Sequence, residues 1–180
     1  MMYLITGGSG SGKSEYAEQL AVSLGGERVY LATMQVYDEE GKQRVARHRA
    51  MREGKKFLTL ECPSGLETMV QNDTNRQILK NRVVLLECMS NLTANEMFRS
   101  DRSMETAELT QERILSGVQA LLQVCRDLVI VTNEVFSDGT VYDPGTASYL
   151  RALGGINVAL AALAEEVTEV VCGIPVDVCR

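Results

Sequence analysis

The chain has 180 residues, 45% of them apolar, which suffices for one full core and falls short of two ordinary domains. A formal net charge of −6 and an isoelectric point near 4.9 exclude a general polyanion binder and argue against nucleic acid or an anionic membrane as partner. The longest apolar runs are strand-length, too short to span a membrane, and the apolar N-terminal stretch has no basic flank of the signal-peptide kind. The expectation is a single cytoplasmic domain over residues 1–180. Five cysteines (Cys62, Cys88, Cys125, Cys172 and Cys179) form no C-x-x-C pair and mostly sit in or beside apolar runs, so they read as reduced, buried thiols.

The first predicted element is a strand over Met2–Thr6, followed at once by Gly7-Gly8-Ser9-Gly10-Ser11-Gly12-Lys13-Ser14 and a helix over residues 13–24. This is the G-x-x-x-x-G-K-[ST] spacing in its strand, loop and helix context. Glycines let backbone N–H groups turn inward onto a β-phosphate, and the helix start directs its positive dipole end to the same place. Lys13 then reaches the β/γ-phosphates and Ser14 Oγ ligates Mg²⁺.

Arg28–Ala32 is the second predicted strand, and a helix over residues 40–53 comes next. Between Lys42 and Lys56 lie seven basic residues and the single acid Glu53, so this segment carries +6 in a chain that is otherwise acidic. His48, the only histidine, shares a helical face with Arg44 and Arg52 at i±4 spacing. A neutral imidazole is a competent nucleophile toward an α-phosphate, and guanidinium groups beside it hold phosphates and favour the neutral ring. A solvated basic face with an incidental histidine fits the same spacing.

Val83–Glu87 is four apolar residues ending in a carboxylate, the arrangement by which nucleoside triphosphatases place an acid near Mg²⁺. Glu134, after the predicted strand at 128–132, competes for that role. A long helix at 104–126, a helix at 147–164, a strand at 168–172 and an antiparallel return over 176–179 complete the order, with irregular stretches at 95–103 and 136–146. Alternation of doubly apolar strands with helices implies an α/β fold with a mostly parallel sheet flanked by helices. Ligands of such sheets bind beyond the strands' carboxyl ends, the rim that carries the glycine loop, Asn133 and Glu134.

Taken together these segments resemble the bifunctional adenosylcobinamide kinase / adenosylcobinamide-phosphate guanylyltransferase family of cobalamin biosynthesis. The likeness runs from the glycine loop and Ala17-Glu18 through residues 29–34, Asp38 to Glu40, His48-Arg49, Arg52 and Thr59 to Glu61. It continues in residues 85–92, Val131 to Val135, Gly154 to Asn157 and residues 170–175. The resemblance implies a P-loop NTPase fold with a RecA-like sheet, often trimeric. It implies phosphorylation of adenosylcobinamide by ATP or GTP, then transfer of GMP from GTP through a guanylylated histidine to adenosylcobinamide phosphate. His48 matches that histidine, and Thr33, Met34, Gln35, Arg49, Arg52, Glu61 and Glu87 match nucleotide-lining positions, with Ser14 and Glu87 at the metal. The chain departs from the family at Glu87, where Asp is common, at residues 136–144, and at Tyr149 to Leu153, which lack the usual Asp. Two simpler functions stay open on the residues alone: a P-loop kinase without a covalent intermediate, and a nucleotide-dependent binding module.

Overall fold

A computed structural model of the chain describes residues 1–35, 39, 41, 43, 46, 50, 52–99, 103–136 and 139–179. Seven strands form one sheet: β1 (Met2–Thr6), β2 (Arg28–Ala32), β3 (Phe57–Glu61), β4 (Val83–Glu87), β5 (Asp127–Val131), β6 (Glu166–Val171) and β7 (Ile174–Cys179). Their order is β3-β2-β4-β5-β1-β6-β7, parallel throughout except for the β6/β7 pair. The helices are α1 (Lys13–Ser23), α2 (Leu66–Gln71), α3 (Asp73–Leu79), α4 (Met89–Met97), α5 (Ala107–Leu122) and α6 (Pro144–Leu163). The P-loop α/β architecture expected from the alternation is present, with its closing antiparallel strand.

Alternation along each strand divides the core in two. Leu4, Leu31, Val84, Leu86 and Ile130 face α2 to α6, and Tyr3, Ile5, Tyr30, Leu85 and Val129 face α1. β4 and β5 are buried at every position, as central parallel strands must be. No described helix is long and apolar enough to cross a membrane.

Several boundaries differ from the sequence expectation. Strand β3 was not expected. It is the sheet's edge, partly or fully exposed along its whole length, so it lacks the continuous apolar run that marks its neighbours. Helices α2, α3 and α4 also lie where none was expected, α4 occupying the start of the stretch read as irregular at 95–103. Helix α5 is shorter at both ends than 104–126. Helix α6 begins earlier than 147, because Asp143 caps it through Gly145 N–H (2.9 Å) and Thr146 N–H (3.1 Å), with Pro144 in its first turn. Of the helix expected at 40–53, residues 41, 43, 46, 50 and 52 are helical, and the others up to Met51 lie outside the described residues. Cys62 is buried and Cys88 and Cys125 are partly covered, but Cys172 is exposed: it stands at the β6/β7 turn, beyond the core that the apolar run leads into. The Cys179 side chain lies outside the description.

Helices α2 and α5 approach so closely at Gly117 that a Cβ there would stand 2.8 Å from Leu66 Cβ and 3.0 Å from the Glu67 backbone nitrogen. Gly117→Ala must push backbone apart, at a cost of about 1–3 kcal/mol. Thermal denaturation should fall by several degrees, since 1 kcal/mol is about 2–4 °C for a chain of this size. An unchanged melting temperature would contradict this packing.

Candidate active site

The glycine loop turns between β1 and α1 with Gly7, Gly10 and Gly12 at φ 150°, 71° and 92°. These are conformations that side chains resist. Gly7 is confined as well as twisted: a Cβ would stand 2.6 Å from Val170 O and 2.7 Å from Ser11 Oγ. On the other side of the loop Gly173 N–H donates to Ser11 O (2.8 Å), and a Cβ on Gly12 would press to 3.3 Å from Gly173 Cα. The β6/β7 turn thus buttresses the loop. Glu134 N–H donates to Gly7 O at 3.1 Å, fixing the loop's other end.

Lys13 opens α1 almost wholly buried, its Nζ donating back to Gly8 O at 2.9 Å. Burial pushes its ammonium below the ordinary lysine range, and negative charge at Cys88 and Glu87 opposes that shift. Burial also pushes the Cys88 thiol up, which weakens it as a counter-charge to Lys13. Ser14 follows Lys13 on the first turn, half-buried.

Glu87 ends β4 and is 7% exposed. Tyr30 on β2 donates its hydroxyl to Glu87 Oε2 at 3.3 Å, and burial together with that carboxylate pushes the phenol far up, keeping it a donor. Over the Tyr30 ring lies the Arg52 guanidinium, Cζ 3.5 Å from the centroid, a desolvated cation–π contact. Arg52 is itself buried, and its Nη1 finds no hydrogen-bond partner among the described residues. An orphaned buried guanidinium nitrogen is costly unless an acceptor arrives, and a phosphate oxygen is the acceptor this nitrogen suits.

The other expected site residues fall in different places. Thr33 is buried beyond β2, and its hydroxyl serves the backbone: it donates to Cys88 O (2.8 Å) and accepts from Cys88 N–H (2.7 Å). Asn95 joins the same corner by donating to Thr33 O (2.8 Å) and Pro63 O (2.9 Å). Met34 is half-buried and Gln35 exposed just past this corner. Glu61 is exposed at the end of β3, in register with Ala32 and through it with Glu87. Four strand spacings separate β3 from β1, roughly 19 Å, so Glu61 stands well away from the phosphate loop. Glu134 Oε1 accepts from Phe136 N–H at 3.0 Å, turning toward its own loop. His48 and Arg49 lie outside the described residues.

Sequence reasoning missed Tyr30, which reads as a core aromatic yet bridges Arg52 and Glu87. It also missed the pairing of Glu18 with Lys55, which links α1 to the basic segment through a 2.6 Å contact across 37 residues. Only the one-sided charge of residues 42–56 hinted that this segment seeks an acidic partner.

A parallel sheet with a glycine loop at its carboxyl rim, a buried lysine at the loop's end and an acid two strands away defines a P-loop α/β fold. The family model described as cobinamide kinase / cobinamide phosphate guanyltransferase matches residues 3–178. The chain is 35% identical to the bifunctional adenosylcobalamin biosynthesis protein CobU of Escherichia coli K12 over 187 aligned positions, covering 99% of each chain. It is 33% identical to the CobU of Salmonella typhimurium LT2, again over 99% of both. Against the bifunctional adenosylcobalamin biosynthesis protein CobP of Pseudomonas aeruginosa PAO1 it is 30% identical, over 97% of this chain and 95% of the other. The chain belongs to the cobinamide kinase / cobinamide phosphate guanyltransferase family, a family of kinases and nucleotidyltransferases.

Proposed function

We propose that this enzyme phosphorylates the aminopropanol hydroxyl of adenosylcobinamide with ATP or GTP, then moves GMP from GTP to the resulting phosphate through His48. The observation that carries the reading is the chain of groups running from Lys13 in the glycine loop to Glu87, to Tyr30 and to Arg52, whose Nη1 has no partner among the described residues and which stands four residues from the chain's only histidine. In the transfer, a ring nitrogen of His48 attacks the α-phosphorus of GTP as the bond to the β-phosphate oxygen breaks, and pyrophosphate leaves. A phosphate oxygen of adenosylcobinamide phosphate then attacks the same phosphorus, the P–N bond breaks, and adenosylcobinamide-GDP forms. Splitting the exchange this way replaces one difficult displacement by two easier ones.

Lys13 and the loop N–H groups hold the β- and γ-phosphates, and Arg52 supports the α-phosphate. Thr33 contributes by setting the β4/α4 corner, Met34 and Gln35 line the rim, and Glu61 addresses the part of the nucleotide remote from the phosphates. The oxygen donors Ser14 and Glu87 suit Mg²⁺, a hard cation usually bound by one or two protein oxygens together with substrate phosphates. Bound there, the ion neutralises charge on the phosphate oxygens. We place the enzyme in the cytoplasm as a homotrimer, a reading supported by family likeness and by exposed Ile174, Val176 and Val178 on β7.

Intact-mass analysis after incubation with GTP and Mg²⁺ tests the reading. One GMP should be gained per chain, mapping to the peptide that contains His48. Turnover of cobinamide to its phosphate with no covalent nucleotide would reduce the enzyme to a plain P-loop kinase.

A further inference from the structure

We propose that the pair of wholly buried Glu18 and part-buried Lys55 ties the end of the basic segment to α1, making both side chains positioning residues for nucleotidyl transfer. This rests on the reading in which Arg52 and His48 act on the nucleotide. Glu18 lies on α1, the helix that the glycine loop opens, and it is wholly buried. Lys55 Nζ meets its Oε2 at 2.6 Å. The Lys55 N–H donates to Arg52 O (3.0 Å), and the Lys55 carbonyl accepts from Arg28 Nε on β2 (3.2 Å). Gly54 and Lys56, at φ 80° and 55°, flank Lys55 with left-handed backbone and turn the chain sharply on either side of it.

A chain of groups results. It leaves α1 at Glu18 and passes through Lys55 to Arg52. From the Arg52 stack on Tyr30 it reaches Glu87, whose negative charge acts on Lys13 at the start of α1 without a direct contact. A largely buried ion pair adds little net stability compared with apolar residues of the same volume, and Glu18 Oε1 finds no hydrogen-bond partner among the described residues. Stability alone would favour replacing the pair. Its contribution is location: it ties the end of the segment bearing His48 and Arg52 to the helix whose first residue grips the phosphates.

The test uses Glu18→Leu/Lys55→Met, which removes both charges together, beside Lys55→Met and Lys55→Arg. The double variant should keep its melting temperature. Amide hydrogen exchange across residues 39–53 should quicken by about tenfold, with β1 and the core of α1 unchanged. Labelling of His48 at saturating GTP should slow by about ten- to a hundredfold, the effect of a small misplacement of reacting groups, with the Kd for GTP altered less than about threefold. Lys55→Arg should restore much of the protection. Unaltered exchange over 39–53 in the double variant, or an equal rise across β1 and α1, overturns the proposal, because the pair is then idle or merely supports the fold. Should the wild-type protein take no label, the guanylylation reading fails on its own, and the exchange data still decide the role of the pair.

Discussion

His48→Ala should abolish the acid-labile GMP label, with GTP-dependent transfer to cobinamide phosphate falling by at least about 10⁴-fold, the scale on which enzymes lose rate with their nucleophile. No other histidine exists in the chain to substitute for it. Phosphoryl transfer to the cobinamide hydroxyl should survive in part, because the loop, Lys13 and Glu87 stay in place and that step needs no attack by the ring. Retention of the label in the variant would move the covalent site to another residue. Equal loss of both activities would make His48 a binding group shared by the two reactions.

Lys13→Ala gives the complementary result, depressing both activities together by about 10²–10³-fold, the range measured for deleting one preorganised electrostatic donor. The ammonium donates to Gly8 O within its own loop, and a triphosphate would offer it a stronger, charged acceptor. The loss should come without unfolding, since the variant deletes a buried charge whose desolvation is unfavourable. Lys13→Arg should not rescue activity: its planar, five-donor head is wider than the ammonium it replaces, and the site it would enter is buried. Parallel assays of phosphoryl transfer, GMP labelling and nucleotide affinity check this. A variant that loses only one activity would show that the two reactions use different phosphate sites.

The glycine loop was legible because its spacing enforces backbone geometry within eight residues, and the central strands because burial on both faces leaves an unbroken apolar run. Glu87 was legible as the carboxylate ending such a run. The surroundings of the rival Glu134 were not: its carboxylate accepts from Phe136 N–H, a contact that local pattern does not carry. Helix α4 escaped notice because Ser90, Asn91, Thr93 and Asn95 are weak helix formers, and tertiary contacts decide its conformation. Met89 and Leu92 are buried in the core, and Thr93 Oγ1 donates to Met89 O at 2.9 Å. Strand β3 was harder to read, because at an exposed edge its short run of Phe57, Leu58 and Leu60 is interrupted by Thr59 and preceded by the charged Lys55 and Lys56. Thr33 matched a nucleotide-lining position, but only coordinates reveal that its hydroxyl closes the turn after β4. The Glu18–Lys55 contact joins residues far apart in the chain, and local pattern carries no trace of it.

The glycines of the loop divide into two kinds. Gly7 and Gly12 are hemmed in by Val170 and Gly173, whereas around Gly8 and Gly10 no atom lies within 4 Å of where a Cβ would be. The hemmed pair is wedged like masonry against the far end of the chain, and the open pair stays clear of neighbouring atoms. Bracing of that kind fixes the loop's shape from the protein's side, so under the proposed function little ordering entropy would be lost on capture.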